Sequence, residues 1–266
     1  MNQPKPDPLS GFLETLAHLL TPLPDSDETS DLLPEPHREV LATWVERAFG
    51  YLQPELIDAH HLDDVQGALV IGNHAVLGID SLILLPLVYR HSGRVMRPLA
   101  DRVLIELPGI DRVLGHLGAV VGAPEHAQRL LDRDELVLVY PGGVDDSLKG
   151  PDRHYQLPWR GRKGFIRTAI RAQKPIIPIM AAGVDDAYQY LFRERWVGRT
   201  LGGSDRYDFP VSLGVGLMPL PVKFTYHVAA PIAPPEGAHL ADDEAVVDEM
   251  HDRVWRHCQG LLDTAM

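Results

Sequence analysis

From Gly67 onward, short apolar runs alternate with amphipathic stretches of helical length, and this alternation limits the chain to very few architectures. The runs Ala68-Leu69-Val70-Ile71 and Leu136-Val137-Leu138-Val139-Tyr140 and the segment 175–181 carry no charge, as strands buried on both faces must. Weaker strand signals stand at 94–98, 119–121 and 223–228. Between them, helical spacing predicts helices from Asp80 to Gly93, over 101–117 with a break at Pro108-Gly109, over 124–132 and over 164–173. Pro86 predicts a kink or an early end in the first of these. A closing helix is predicted over 243–262, with Val247, Met250, Val254, Cys258 and Leu261 on one side. Strands alternating with crossover helices form an α/β domain. The expected fold is therefore a single domain over residues 65–266, a mostly parallel mixed sheet flanked by helices.

Residues 1–64 read as an N-terminal helical arm and linker. A short amphipathic piece at 11–20 is followed by a Pro/Asp/Ser-rich connector at 21–36. A helix over 38–52 then places Val40, Leu41, Trp44, Val45, Phe49 and Leu52 at helical spacing, and a polar loop leads to Asp64. Residues 1–8, with one lysine and three prolines, do not resemble a secretory leader. The longest stretches without Asp, Glu, Lys or Arg, 65–79 and 209–222, fall short of the roughly 18 apolar residues of a membrane span. With 25 Lys+Arg against 37 Asp+Glu, the net charge of −12 excludes a nucleic-acid binder. The single cysteine, Cys258, excludes a disulfide framework and Cys-rich zinc modules. The expectation is a cytoplasmic protein, with peripheral contact at the inner face of a membrane left open. The pieces 11–20 and 209–222 and the Trp44/Phe49 helix are candidate contact surfaces. The first has no Lys or Arg for an interfacial polar face, which favours packing against the domain.

Chemistry-bearing residues gather where strands are predicted to end. In Gly72-Asn73-His74-Ala75-Val76-Leu77-Gly78-Ile79-Asp80, a buried strand gives way to a helix, the place where open α/β sheets hold ligands. A histidine there can take a proton from a hydroxyl near neutral pH, and a carboxylate at the helix start can orient its other ring nitrogen. The same residues also suit a turn histidine and a helix N-cap. After the strand 136–140, Pro141-Gly142-Gly143 lets backbone N–H groups approach a ligand, although a plain tight turn would use the same residues. Arg160, Arg162 and Lys163, between Trp159 and Phe165, form a basic cluster that suits either an anionic group or a solvated helix start.

Taken in order, Asn73-His74…Asp80, Pro141-Gly142-Gly143 and Pro175-Ile176-Ile177-Pro178-Ile179 resemble the glycerolipid acyltransferase superfamily, over roughly residues 67–191. Five residues separate His74 from Asp80, and the second motif reads Pro-Gly-Gly. In both respects the chain resembles the branch of the second diacylglycerol acyltransferase family more than the lysophosphatidate enzymes. The resemblance implies that His74 is a general base oriented by Asp80, and that Gly142 and Gly143 lie in the acceptor motif. It also implies direct attack of a lipid hydroxyl on the thioester of acyl-CoA or an acyl carrier protein, without a resident cofactor or metal. Asn73, Pro141, Arg97, Arg160, Arg162 and Lys163 complete the expected substrate-binding set. No arginine stands between Gly118 and Gln128, and Asp145-Asp146 follow the glycines. That arrangement favours a neutral acceptor, such as a mono- or diacylglycerol or a long-chain alcohol, over a phosphate-bearing one, for which Arg97, Arg160, Arg162 and Lys163 could still supply the charge.

Rival functions are weaker. The chain has no Gly-x-Ser-x-Gly elbow and no dinucleotide or P-loop fingerprint. A metal hydrolase would have to use His60-His61-Leu62-Asp63-Asp64 or Asp145-Asp146, adjacent ligands that rarely converge on one ion. A non-catalytic lipid-binding protein of the same fold is the other alternative.

Overall fold

The computed structural model describes residues 49–63, 65–75, 78–106, 109–159, 161–194, 209–214 and 219–265, together with Ala17 and Leu20. Its strands are β1 (Glu55–Ile57), β2 (Ala68–Ile71), β3 (Met96–Ala100), β4 (Val120–Val121), β5 (Leu136–Val139), β6 (Ile176–Ala182), β7 (Gln189–Glu194), β8 (Phe209–Leu213) and β9 (Thr225–Val228). The helices are α1 (Ile79–Ser92), α2 (Arg102–Ile105), α3 (Ile110–His116), α4 (Pro124–Asp132), α5 (Val144–Ser147), α6 (Gly164–Ala172) and α7 (Glu244–Ala265). A seven-stranded sheet has the order β1-β9-β6-β2-β5-β3-β4. β6, β2, β5, β3 and β4 are mutually parallel, while β9 is antiparallel to β6 and carries β1 parallel to itself at the edge. The molecule is thus an α/β protein with a mostly parallel mixed sheet flanked by helices.

Alternation along the central strands divides the core into two layers. Ala68 and Val70 of β2 face α1, packing with Ile83, Leu84, Leu87 and Val88. Leu69 and Ile71 face the other way, against Leu130 and Leu131 of α4, Ile166 and Ile170 of α6 and Val254 of α7. Period-2 side chains on strands covered by helices on both faces require this arrangement, which is why the central strands read as unbroken apolar runs.

Several expectations need correction. Helix α1 passes through Pro86 without ending and stops only at Gly93, whose φ of 68° forms the left-handed cap. Leu84, Leu85, Leu87 and Val88 are all buried around the proline. Their packing offsets the roughly 3 kcal/mol that an interior proline costs. The loop expected before Asp64 contains β1, so the sheet recruits chain from before residue 65. Part of the run 209–222 is β8, which pairs with β7 as an antiparallel hairpin. Of the helix expected over 38–52, residues 38–48 lie outside the described residues, and Gly50–Leu52 is one 3-10 turn that buries Leu52. The amphipathic piece 11–20 also lies outside them apart from Ala17 and Leu20, and the Leu20 carbonyl accepts a hydrogen bond from Arg112 at 3.0 Å. Among the described residues, no helix is long and apolar enough to cross a membrane.

Candidate active site

Because β6, β2 and β5 are adjacent and parallel, the turns that leave them emerge at one edge of the sheet. The turn after β2 carries His74, the turn after β5 carries Pro141-Gly142-Gly143, and the turn after β6 carries Gly183-Val184-Asp185-Asp186. Strands of one direction in the centre of an open sheet collect their C-terminal turns in this way.

His74 and Asp80 meet across the turn. The imidazole Nδ1 lies 2.9 Å from Asp80 Oδ1 and 3.1 Å from Oδ2. Asp80 Oδ1 also accepts the Ala75 backbone N–H at 2.9 Å. The carboxylate stands in the first turn of α1, where the helix dipole favours negative charge. Asp80 is 1% exposed and His74 18%, so the pair is anchored from within while the ring retains an open side. The turn closes through Gly78, which has φ 71°, and a Cβ there would come within 3.1 Å of His74 Cε1. Only glycine tolerates both that backbone angle and that contact.

Tyr140, the residue that ends the β5 run, stacks on the imidazole with ring centroids 3.9 Å apart and planes 12° from parallel. Burial, and then the neighbouring Asp80 carboxylate, push its hydroxyl well above the ordinary tyrosine range, which keeps it neutral. For His74, burial alone would lower the pKa. The Asp80 charge, its hydrogen bond to the ring and the Asp146 carboxylate outweigh burial, and the imidazole pKa is raised. The carboxylates around the ring therefore favour its protonated form against the opposing effect of burial.

The other expected site residues divide between the two ends of the sheet. Pro141, Gly142 and Gly143 form the turn beside His74, and Gly143 has φ 51°. Gly142 packs so closely on Asp146 that a Cβ would lie 2.5 Å from the Asp146 Cβ. Arg162 reaches this turn, donating to the Gly142 carbonyl and pairing with Asp145. Lys163 pairs instead with Glu244 and Asp248 of α7. Arg160 lies outside the described residues. Arg97 does not join the site: its Nε donates to the Gly118 carbonyl at 2.7 Å, and a guanidinium nitrogen lies 3.9 Å from Glu135, just before β5, at the opposite end of the strand from Tyr140. Asn73 is not aimed at substrate either. Its amide nitrogen donates to the Ala181 carbonyl at 2.9 Å and its oxygen accepts the Ala181 N–H at 2.7 Å, so the side chain ties the His74 turn to β6. Pro178 is buried in β6 opposite Ile71.

Two residues of the site, Lys149 and Asp185, were not expected, and Asp146 was expected only as an acid that follows the glycines. Asp146 Oδ2 accepts the His74 backbone N–H at 2.9 Å. Asp146 Oδ1 lies 2.9 Å from Lys149 Nζ, which also lies 2.8 Å from Asp185 Oδ2, and all three side chains are fully buried. The i,i+3 spacing of Asp146 and Lys149 and the recurrence of Gly-Val-Asp-Asp at 143–146 and 183–186 were the available signals. Among the described residues, no group of three or more His, Cys, Asp or Glu is gathered as a metal site. A pocket lined by Ile105, Val120, Val121, His126, Arg129 and Arg133 sits beside β4, and no expected site residue lines it.

Residues 54–182, from just before β1 to the end of β6, match the profile of the Acyltransferase family. A protein of Bos taurus named as a DGAT1/2-independent enzyme synthesizing storage lipids is 29% identical over 196 residues, covering 74% of this chain and 55% of its own. An uncharacterized protein of Mycobacterium bovis is 34% identical over 203 residues, covering 73% of this chain and 56% of its own. The chain spans about half the length of the curated relatives it matches. A crystal structure of the 1-acyl-sn-glycerophosphate (LPA) acyltransferase PlsC from Thermotoga maritima aligns with 92% of this chain and 87% of that one, at 15% identity and a TM-score of 0.49. The matched segment contains the ordered motifs at His74, Asp80 and Pro141-Gly142-Gly143, and over this segment the chain is similar to the Acyltransferase family.

Proposed function

We propose that this protein is an O-acyltransferase that moves a fatty acyl group from the thioester of acyl-CoA or an acyl carrier protein to the hydroxyl of a glycerolipid or similar lipid alcohol. His74 Nε2 takes the hydroxyl proton as the oxygen attacks the thioester carbonyl carbon. The C–O bond forms, the C–S bond breaks, and the departing thiolate takes the proton from His74. Asp80 holds Nδ1–H and stabilises the imidazolium between the two proton transfers. The supporting observation is the anchoring of Nδ1 on a buried carboxylate with the ring still partly exposed, which leaves Nε2 as the ring nitrogen that Asp80 does not hold. The thioester is a co-substrate, and no step requires a resident cofactor or metal.

The acceptor is a neutral hydroxyl. Three cations that could receive a phosphate are committed within the protein: Arg162 to Asp145 and Gly142, Lys163 to α7, and Arg97 to Gly118 and Glu135. The name of the bovine relative, which refers to storage lipids, supports the same acceptor class. Access to such acceptors comes from peripheral contact with a lipid surface, where Leu104 and Ile110 of α2 and α3, both about 40% exposed, supply apolar contact.

Purified protein is to be incubated with labelled long-chain acyl-CoA and, separately, monoacylglycerol, diacylglycerol, lysophospholipid and lysophosphatidate. Labelled neutral glyceride that disappears in His74→Ala, with folding intact, is the expected result. An unchanged rate in that variant overturns the base assignment, and lysophosphatidate as the sole acceptor overturns the neutral one.

A further inference from the structure

We propose that Lys149 is a positioning residue of this site, locking the turns after β2, β5 and β6 into one unit through Asp146 and Asp185. The inference rests on the reading of His74 as the base. Asp146, in the turn after β5, holds the His74 main chain with one oxygen and Lys149 with the other, at 2.9 Å each. Lys149 reaches on to Asp185 in the turn after β6 at 2.8 Å. Asp185 Oδ2 in turn accepts the Tyr155 N–H at 2.6 Å, while the Tyr155 hydroxyl accepts the Gly183 N–H at 3.0 Å. Asp80 thus fixes the His74 ring and Asp146 fixes its backbone.

A role in stability alone does not account for this cluster. Two carboxylates and one ammonium are buried completely, and Asp185 Oδ1 has no hydrogen-bond partner. Buried ion pairs of this kind usually contribute less than a packed apolar group of the same volume. What an apolar group could not supply is a fixed acceptor for the His74 N–H and a charge near the imidazole. The groups facing that ring are Asp80 from α1, Tyr140 from the end of β5, and Asp146 and Lys149 from α5 and the segment after it. Tyr226 of β9 stands behind Asp80, donating to its backbone carbonyl at 2.9 Å. After burial and Asp80, which act most strongly on the ring, Asp146 makes the imidazole more basic and Lys149 makes it less so.

The test combines a titration with kinetics. In Asp146→Asn the ring loses an anion and keeps Lys149. The NMR titration midpoint of the His74 Cε1–H, assigned by its absence in His74→Ala, is expected to fall by roughly one pH unit. The acidic limb of kcat/KM is expected to move the same way. In Lys149→Met, kcat is expected to fall about tenfold or more with little change in KM, because the base is displaced rather than the binding surface. The double variant Lys149→Met/Asp185→Asn removes one charge of each sign and is expected to regain thermal stability without regaining kcat. An unmoved titration in Asp146→Asn, or recovery of kcat together with stability in the double variant, overturns the proposal. Unchanged turnover in His74→Ala overturns the assignment of the base instead, and the titration, which needs no turnover, separates the two failures.

Discussion

Substituting Asp80 by Asn tests the central pair with almost no change of shape. Both carboxylate oxygens lie within 3.1 Å of His74 Nδ1, and Oδ1 also accepts the Ala75 N–H. An amide can keep one acceptor for Ala75, but it turns an N–H toward the ring and carries no charge. The donor favours the tautomer protonated on Nε2, which cannot take a proton from the acceptor hydroxyl. The lost charge removes the partner of the imidazolium formed during transfer. Opposite charges about 4 Å apart at an effective dielectric constant of about 20 interact by about 4 kcal/mol. At 1.36 kcal/mol per factor of ten, that predicts a fall in kcat of about a thousandfold. KM is expected to change little, because Asp80 is buried behind the ring. The assay is single-turnover acyl transfer from labelled acyl-CoA at saturating acceptor, with circular dichroism to confirm that the variant is folded. A folded Asp80→Asn enzyme retaining more than about a tenth of wild-type kcat would refute the argument that Asp80 carries the charge stabilisation.

Three further outcomes follow from the same geometry. Asn73→Ala strips both the N–H and the carbonyl of buried Ala181 of their side-chain partner, and is expected to cost about 2–3 kcal/mol in urea unfolding, with the loss appearing in the midpoint rather than the slope. Gly142→Ala places a Cβ 2.5 Å from the Asp146 Cβ, which predicts a loss of about 1–3 kcal/mol in thermal unfolding and, in folded material, a loss of acyl transfer as Asp146 shifts from the His74 N–H. The raised pKa of His74 gives two signs. The base must be neutral to act, so kcat/KM is expected to fall as pH drops through a value above 6.5. In stability, a group raised on folding contributes fully below its unfolded value and loses that contribution as pH rises through its folded one. The stability difference between wild type and His74→Gln is therefore expected to shrink as pH rises above 6.5.

The parallel core was legible because strands buried on both faces cannot hide: the uncharged runs at β2, β5 and β6 and the span of α4 stand in the structure much as the sequence predicts. Glu55–Ile57 was missed because a short edge strand with no fully buried residue leaves no apolar pattern to detect. At the site, the dyad was legible because its partners share one turn, whereas the supporting residues come from distant parts of the chain. Asn73 was placed in the substrate-binding set beside His74, yet successive residues leaving a strand point to opposite sides, so one meets β6 and the other the open face. Arg97 was nominated for its charge alone, although a charged residue between Met96 and Pro98 within a buried strand needs partners in the protein, and Gly118 and Glu135 supply them. Asp145 and Asp146 were treated as one acidic pair that would repel phosphate, but Asp145 goes to Arg162 and Asp146 goes inward to Lys149. The preference for a neutral acceptor therefore rests on committed cations, not on exposed acids. An arginine freed by substituting Asp145 should raise binding of a phosphate-bearing acceptor more than removal of Asp146 would, since Asp146 is spent on the backbone of His74.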